Sequence, residues 1–498
     1  MMSLDSTNAL KNKYEGVIGL EVHAELATVS KMFCSCQVVD SIQAEPNVAV
    51  CPVCAGMPGV LPVVNQQAVE YGLRVAIALG CTISHTSLFA RKNYFYPDLP
   101  KGYQISQFEY PLAEHGKLII ETSHGQKEIR IRRVHLEEDT GKLTHIKKDG
   151  QAYSLIDLNR AGVPLLEIVT EPDMRTVEEV RAYASSLRAI IRYMDVNSGD
   201  MEKGVIRFEA NVSVRLAGSE TLGTRVEIKN LNSFRALERS VAYEIDRQSA
   251  AVDRGETIHL ETLGWDEPNG VTYSQRSKEE AHDYRYFPEP DLPPLVVEPE
   301  WVEQVTQSLP ELPQVRALRF QEQFGLTKAD AELLVDDKAI ANYFEESVKA
   351  TPEVPPRALA IWITGELFGW VNQSGMSIEQ IKVTPAALGE LVRITANGEI
   401  NLNTAKAVLL KMLATGMPAA SIIQADGLLQ ISDGDLISQL VSQVIEANPQ
   451  ELAGYLNGKE TLANWFFGQV MRAAKGKANP QVIRIELDRQ LTKRKVEQ

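Results

Sequence analysis

Apolar and polar residues alternate along residues 16–26 (GVIGLEVHAEL), a pattern that predicts a β-strand. Apolar side chains occupy one face of this strand, and Glu21, His23 and Glu25 occupy the other. Two carboxylates around an imidazole suit a hard divalent cation such as Mg²⁺ or Mn²⁺, because oxygen ligands dominate its coordination. Taken alone, the pattern is explained equally well by a solvated face of a sheet.

Strands with a charged face return further along the chain. They are predicted at 129–134, where the strand runs into the acidic segment HLEED, at 206–215 and at 224–231. Their charged and polar residues include Glu138, Glu209 with Asn211, and Glu227 with Lys229. A row of acids repels itself unless a cation holds it. Four such strands therefore predict one polar cavity on an antiparallel sheet, and a strand pair at 153–167 brings Asp157 and Glu167.

Helical spacing replaces strand alternation in the second part of the chain. Seven prolines between Pro288 and Pro313 predict a semi-rigid linker. Beyond it, apolar residues at helical spacing between short Gly or Pro breaks predict helices. These helices are predicted at 317–324, 329–349, 357–371, 385–397 and 404–413.

Four cysteines form the pattern C-x-C-x14-C-x2-C, with Cys34, Cys36, Cys51 and Cys54 as its members. Two close pairs separated by a short loop are typical of a tetrahedral zinc site. Disulfides are the alternative interpretation, and a cytosolic location disfavours them. We predict a structural zinc ion, because four thiolates leave no coordination position for a substrate.

The length and net charge of the chain indicate how many domains it has and which classes of protein are disfavoured. A chain of 498 residues exceeds one core and predicts about three domains. We expect a cytoplasmic protein without membrane association, since we find neither a secretory signal nor a membrane-spanning apolar run. The net charge of −15 argues against a general nucleic-acid coat protein. The segment 472–498 is locally basic, which indicates either a nucleic-acid contact or a solvated helix end.

Several well-known catalytic motifs are absent from the sequence. It contains no phosphate-binding G-x-x-x-x-G-K-[ST], no dinucleotide G-x-G-x-x-G, no G-x-S-x-G elbow and no H-E-x-x-H helix. If ATP is used, metal-bound carboxylates and single basic residues must hold its phosphates, and Lys92, Lys101 and Lys229 are candidates. The residues therefore favour a carboxylate-rich Mg²⁺ site that acts on a phosphate or acyl group.

Seven segments resemble, in order, the family of B subunits of the glutamyl/aspartyl-tRNA amidotransferases. The related archaeal E subunits share these motifs but carry an inserted synthetase-like domain, whereas here the last motif runs directly into the helical part. The segments are GVIGLEVHAEL, RKNYFYPDLPKGYQISQ, HLEEDTGK, DLNRAGVPLLEIVTEPD, EANVSVR, EIKNLNSF and DYRYFPEPDLPPL.

The resemblance implies an α+β fold and an ATP-dependent transamidation. A cradle-shaped catalytic domain on an antiparallel sheet would span 1–292, a helical domain 293–410, and a small helical tRNA-binding tail 411–498. ATP would phosphorylate the side-chain carboxylate of misacylated Glu-tRNA(Gln), Asp-tRNA(Asn) or both, and ammonia would displace the phosphate. A separate glutaminase A subunit would supply the ammonia, and a small C subunit would complete a heterotrimer.

The resemblance also implies roles for individual residues. It predicts catalytic roles for Glu138, Lys92, Lys101 and Asp157, and substrate contacts at Tyr94, Lys229 and Asn211. The predicted Mg²⁺ ligands are Glu21, His23, Glu138, Glu209 and Glu227, with Glu137 and Asp157 as second choices. The predicted tRNA contacts are Lys475, Lys477 and Arg484.

Two other functions are compatible with the same residues. A non-catalytic tRNA-binding scaffold would carry its acidic strand faces in solvent and leave all chemistry to a partner. A stand-alone two-metal hydrolase would cleave phosphoesters without tRNA or a partner. Separate measurements of tRNA binding and acyl-phosphate formation discriminate between these functions and the transamidase.

Overall fold

The computed structural model describes residues 13–40, 42–277, 284–429, 434–474 and 478–496. The chain divides into two compact units, Met1–Leu312 and Pro313–Gln498. The break falls at the end of the proline-rich segment from which we predicted a linker. The first unit contains the strands and the second is helical, which confirms the predicted α+β class. The finer division at 292 and 410 stays a prediction.

A nine-stranded sheet forms the centre of the first unit. Its spatial order is β14-β13-β12-β11-β1-β10-β7-β6-β2. The strands are β1 (Tyr14–Glu25), β2 (Thr82–Ile83), β3 (Thr86–Ser87), β4 (Phe89–Asn93), β5 (Tyr103–Gln107), β6 (Ala113–Thr122), β7 (Gly125–Glu138), β8 (Lys142–Lys148), β9 (Gln151–Asp157), β10 (Pro164–Thr170), β11 (Ile206–Leu216), β12 (Val226–Leu231), β13 (Glu261–Asp266), β14 (Val271–Ser277), β15 (Phe287–Pro288) and β16 (Leu295–Val296).

Neighbouring strands of this sheet are antiparallel except for β12 and β13. These two strands are parallel. A long helix, α3 (Phe234–Asp253), connects them and brings the chain back, so that β13 runs in the same direction as β12. The predicted antiparallel sheet is therefore correct for most of its pairs. The remaining strands form smaller sheets, β15-β4-β5, β16-β3 and the hairpin β8-β9.

Helices cover one face of the sheet. They are α1 (Gln66–Ala78), α2 (Val177–Tyr193), α3 and α4 (Pro299–Ser308). The residues Asn65, Thr176 and Ser233 immediately precede α1, α2 and α3. Their side-chain oxygens accept hydrogen bonds from backbone N–H groups in the first turn of each helix, which explains why the helices begin at these positions. Phe234 of α3 packs on Phe208 of β11, so the helices bury the apolar face. The opposite, charged face is left for the site.

The second unit is built from helices alone among its described residues. They are α5 (Pro313–Phe324), α6 (Lys328–Val335), α7 (Lys338–Ala350), α8 (Pro356–Trp362), a π-turn (Ile363–Leu367), α9 (Phe368–Ser374), a 3₁₀ turn (Ile378–Gln380), α10 (Pro385–Ala396), α11 (Leu402–Thr415), α12 (Ala419–Ala425), α13 (Gly434–Glu446), α14 (Pro449–Leu456), α15 (Leu462–Ala473) and α16 (Pro480–Val496). The last four share a hydrophobic core that includes Val441, Phe466 and Leu487.

The helices of the described residues are short or polar by the standard of a membrane span. None of them has, by itself, the length and apolarity needed to cross a membrane. The pair α11 and α12 passes this test of length and composition only when joined, and it is bent by 111° at the junction.

Candidate active site on the central sheet

The charged face of the sheet collects side chains from five neighbouring strands. β12, β11, β1, β10 and β7 lie side by side, and their registers set the charged residues opposite one another. Glu21 pairs with Glu209 across β1 and β11, and His23 pairs with Glu167 across β1 and β10. Because side chains on one face recur every second residue, these pairs point to the same side.

Three carboxylates form the first group on this face. Oxygens of Glu21, Glu209 and Glu227 lie within 4.8 Å of one another. The Asn211 amide donates to Glu21 at 2.9 Å, and the Lys229 ammonium lies 3.0 Å from Glu209 and 3.1 Å from Glu227. Burial and the neighbouring carboxylates of Glu167, Glu209 and Glu227 raise the pKa of Glu21. One lysine therefore does not offset the charge of three acids.

One imidazole and two carboxylates form the second group. Ligand atoms of His23, Glu137 and Glu167 lie within 4.8 Å of one another. The Nε2 atom of His23 is 3.6 Å from Glu137 and 3.5 Å from Glu167. Burial opposes protonation of His23, but the surrounding carboxylates outweigh it and raise its pKa to about 9. His135 contributes a second imidazole, with its Nε2 atom 3.2 Å from Glu167.

These two groups fit divalent cations. Carboxylates this close repel one another, and this repulsion adds to the effect of desolvation in raising the pKa of Glu21. Within the described chain, the buried Oε2 atom of Glu137 and Nδ1 atom of His135 have no hydrogen-bond partner. Buried polar atoms are normally paired, so orphaned acceptors beside a carboxylate group indicate a missing ligand. Oxygen-rich donors with one imidazole suit Mg²⁺ or Mn²⁺.

Glu138 does not belong to either group, which corrects its predicted place beside Glu21 and His23. It follows Glu137 on β7 and therefore points to the opposite face, where β5 and the cysteine-rich segment surround it. Its carboxylate accepts hydrogen bonds from the ammonium of Lys101 and from the backbone N–H of Ile105, the latter at 2.9 Å. Glu137, only a second choice from the sequence, occupies the position predicted for Glu138.

Asp157 is also away from both groups. Its Oδ1 atom accepts the backbone N–H groups of Asn47 and Asn159, each at 3.0 Å. The carboxylate thus fixes a loop of the cysteine-rich segment to the end of β9. In this position Asp157 organises the backbone, and the structure does not bring it to the acids for which it was predicted.

Sequence reasoning named Glu167 only as an acid of the strand pair at 153–167, and it gave no ligand role to Glu167 or His135. Glu167 is the only charged residue of β10, a strand that is otherwise apolar and mostly buried. A single acid in such a strand was an available signal, because a buried carboxylate requires a partner. His135 and Glu137 are two residues apart on β7, so their side chains lie on the same face of the strand. Glu138 is adjacent to Glu137, so its side chain lies on the other face.

An aromatic cluster flanks the second group. The Lys92 ammonium lies 5.2 Å from the centroid of the Tyr284 ring, and Tyr94 packs edge-on against Tyr284 at 6.0 Å. Burial opposes the charge of Lys92, yet the nearby Glu137 and Tyr286 raise the pKa of its ammonium. Lys92 and Tyr94 therefore lie close to the acids, whereas Lys101 pairs with Glu138 on the other face, and the roles of all three stay predictions.

The three predicted tRNA contacts belong to the second unit. Lys475 and Lys477 lie outside the described residues. Arg484, on α16, stacks its guanidinium 4.6 Å from the centroid of the Phe467 ring.

The four predicted metal-binding cysteines come together. Sulfur atoms of Cys34, Cys36, Cys51 and Cys54 lie within 4.8 Å of one another, and none of them is in a disulfide. The Cys54 sulfur is 4.0 Å from that of Cys36 and 3.9 Å from that of Cys51. A hydrogen bond from Cys34 lowers the pKa of Cys54 to about 4. Four converging sulfurs, one of them readily ionised, fit a tetrahedral thiolate metal site.

Known proteins show similarity over nearly the whole chain. Residues 16–303 match the GatB/GatE catalytic domain, and residues 342–491 match the GatB domain. The B subunit of the aspartyl/glutamyl-tRNA(Asn/Gln) amidotransferase of Thermodesulfovibrio yellowstonii is 50% identical over 471 residues, which cover 95% of this chain and 98% of the relative. The corresponding B subunit of Thermoanaerobacter pseudethanolicus is 48% identical over 481 residues, which cover 97% and 100%. The resemblance drawn from the seven motifs is thereby confirmed: the chain belongs to the family of aspartyl/glutamyl-tRNA(Asn/Gln) amidotransferase B subunits.

Proposed function

We propose that this protein activates and amidates the side chain of misacylated Glu-tRNA(Gln), Asp-tRNA(Asn) or both. A side-chain carboxylate oxygen attacks the γ-phosphorus of ATP, ADP leaves and an acyl phosphate forms. The nitrogen of ammonia then attacks the acyl carbon, phosphate leaves, and a proton is released to give the amide. The observation that carries this proposal is the pair of adjoining acid groups, Glu21–Glu209–Glu227 and His23–Glu137–Glu167, on one face of the sheet.

Phosphoryl transfer between two anions depends on charge neutralisation more than on a strong base. Mg²⁺, when bound by the two acid groups, supplies part of that neutralisation. Asn211 orients Glu21 through its amide, and Lys229 holds Glu209 and Glu227 in place. Lys92, which is close to Glu137, offers a second positive charge to the transferring phosphoryl group.

Lys101 and Glu138 are assigned to the ammonia side of the reaction. With Cys34, Cys54 and Gly162 they line a small cavity of about 30 Å³. Such a volume admits a molecule the size of water or ammonia. Restricting the approach to small molecules also limits hydrolysis of an acyl phosphate.

Membership of the family supports the proposed partners. Ammonia would come from a separate glutaminase A subunit, a small C subunit would complete a heterotrimer, and the basic tail would contact tRNA by shape. The four cysteines would hold a structural zinc ion. We assign this activity to the cytoplasm, where aminoacyl-tRNAs are used.

The decisive experiment separates chemistry from tRNA binding. The chain, purified with its partner subunits, is given ATP, glutamine and each of the two misacylated tRNAs. We expect Glu137→Gln to lower acyl-phosphate formation by at least about 100-fold, because it removes a carboxylate that faces the transferring group. Binding of tRNA, measured by filter retention, should stay within about threefold of wild type.

The matched control is Glu128→Gln on the same strand, β7. Its carboxylate is exposed and pairs with Lys117 at 3.0 Å, so this variant should retain full activity. If Glu137→Gln leaves the chemistry of bound tRNA unchanged and weakens only tRNA binding, the protein is a scaffold. Phosphoester cleavage without tRNA or partners would instead indicate a hydrolase.

A further inference from the structure

Lys31 is a fully buried lysine beside the four cysteines. Its ammonium donates to the carbonyl oxygens of Ala49 and Leu158 at 2.8 and 3.1 Å, and lies 3.6 Å from the sulfur of Cys54. Within the described parts of the chain, no carboxylate lies at ion-pairing distance from it. A buried ammonium without a negative partner is costly, so its surroundings must supply negative charge in another form.

The cysteine cluster is the available source of that charge. A divalent ion bound by four thiolates carries a net charge of about −2, so the complex is itself a buried anion that requires compensation. Lys31 contacts one of the four sulfurs directly. A hydrogen bond to a metal-bound thiolate is the kind of outer contact that tunes a metal site.

The contacts of Lys31 also connect the cluster to the turn that follows β9. Its ammonium bridges Ala49, between the two cysteine pairs, and Leu158 in that turn. Two further hydrogen bonds join the same two segments. The backbone N–H of Leu158 donates to the side-chain oxygen of Asn47 at 2.7 Å, and the backbone N–H of Ala49 donates to the side-chain oxygen of Asn159 at 2.9 Å. Lys31 is therefore one member of a network that fixes the loop to the turn.

Gly162, at the end of this turn, is where the cluster approaches Glu138. A methyl group at Gly162 would lie 3.4 Å from the Cβ atom of Cys54, 3.5 Å from the Cδ atom of Lys31 and 3.9 Å from Glu138. Gly162 has a φ of +86°, which side chains rarely adopt. Cys54, Lys31 and Glu138 therefore all border the space beside Gly162, and Cys54 and Glu138 line one cavity with it.

We propose that Lys31 is the positioning residue of the metal site: it balances the excess negative charge of the metal–thiolate complex and ties that complex to the 158–162 turn. This inference rests on the proposed metal binding by the four cysteines. It goes beyond that proposal because it assigns to a lysine outside the ligand set a part in the affinity for the metal and a link to the 158–162 turn.

The first test measures zinc affinity by competition with a chromogenic chelator in Lys31→Met, Lys147→Met and wild type. Lys147 is exposed on β8 and serves as the matched control. We expect Lys31→Met to bind zinc roughly 10- to 100-fold more weakly, with a changed thiolate–cobalt absorption after cobalt substitution, and Lys147→Met to match wild type. Equal affinity in Lys31→Met and wild type overturns the role of Lys31. Absence of zinc binding in wild type overturns metal binding itself.

The second test needs no variant and checks the link between the cluster and the turn, without which Lys31 cannot act as a tie between them. Amide hydrogen exchange is compared between zinc-loaded and chelator-stripped wild-type protein. We expect residues 45–51 and 156–162 to lose protection together on removal of the metal, while strands β13 and β14 stay unchanged. Unchanged exchange at 156–162 in protein that has lost its zinc overturns the link between the cluster and the turn.

Discussion

Asp139 is a buried carboxylate whose charge depends on two arginines. The guanidinium of Arg207 donates to it at 2.9 Å, and that of Arg160 lies 3.5 Å away. Burial alone would raise the pKa of Asp139, but these arginines outweigh it and lower the pKa. Arg207 also lies 3.4 Å from Glu25, whose pKa is raised to about 7 by burial and by Asp139. Arg207 thus forms ion pairs with two carboxylates, Asp139 and Glu25, at one end of the candidate site.

Removing Arg207 should therefore destabilise the first unit markedly. We expect Arg207→Met to lower the free energy of unfolding by about 3 kcal/mol, because it leaves Asp139 buried with only the more distant Arg160. Urea unfolding followed by circular dichroism measures the loss. The control is Arg132→Met, which removes an exposed pair with Glu171 at 2.8 Å and should cost less than about 1 kcal/mol. Equal losses in the two variants would contradict this account.

At the scale of elements, α5 and α7 are joined by charged side chains as well as by apolar packing. Phe320 of α5 packs on Phe344 of α7 with ring centroids 5.1 Å apart. Glu345 of α7 accepts hydrogen bonds from Arg316 and from Arg319, the latter at 2.6 Å. Burial alone would raise the pKa of Glu345, but the two arginines outweigh it and lower the pKa.

This depressed pKa predicts a pH-dependent contribution to stability. A carboxylate with a lower pKa in the folded state stabilises it above the unfolded pKa of about 4.3, and the contribution is lost as the pH falls towards the folded pKa. We expect Glu345→Gln to reduce the free energy of unfolding of the second unit at pH 7, and the difference from wild type to shrink below about pH 4.

The measurement is urea unfolding of both proteins across that pH range. Glu332→Gln is the control, because Glu332 is exposed and 3.8 Å from Lys328. A difference between wild type and Glu345→Gln that does not change with pH would show that the charge of Glu345 has no part in it.

At the scale of the whole molecule, the first unit continues beyond the predicted boundary at residue 292. The elements that follow this residue pack against earlier parts of the same unit. β16 pairs with β3, and α4 packs against α1. Val297 and Val305 are buried, with 2% and 4% of their surface exposed. A cut at 292 would remove these elements and uncover α1, whereas a cut at 312 keeps them.

Fragments ending at the two positions should differ in stability. We expect the fragment 1–312 to unfold in one cooperative transition, and the fragment 1–292 to be less stable by about 3 kcal/mol, because two buried valines lose their contacts. Thermal and urea unfolding of the two fragments measures the difference. Equal stability would favour the boundary at 292.

The sequence by itself determined the local features of this protein. Strand alternation assigned Glu21, His23, Glu209 and Glu227 to charged faces, and the spacing of the four cysteines predicted a cluster of sulfurs that could hold a metal. Seven motifs in order identified the family. All of these depend on residues that are close in the chain, because the period of a strand or the spacing of a ligand pair is a local property.

Only the tertiary structure decided which strands are neighbours. β10 lies between β1 and β7, so Glu167 meets His23 and His135, and Glu137 joins them while Glu138 turns away. Strand order is set by hydrogen bonds and packing between distant segments, which no local pattern encodes. For the same reason the sequence predicted a different role for Asp157 and none for Lys31, since their contacts are with segments more than a dozen residues away.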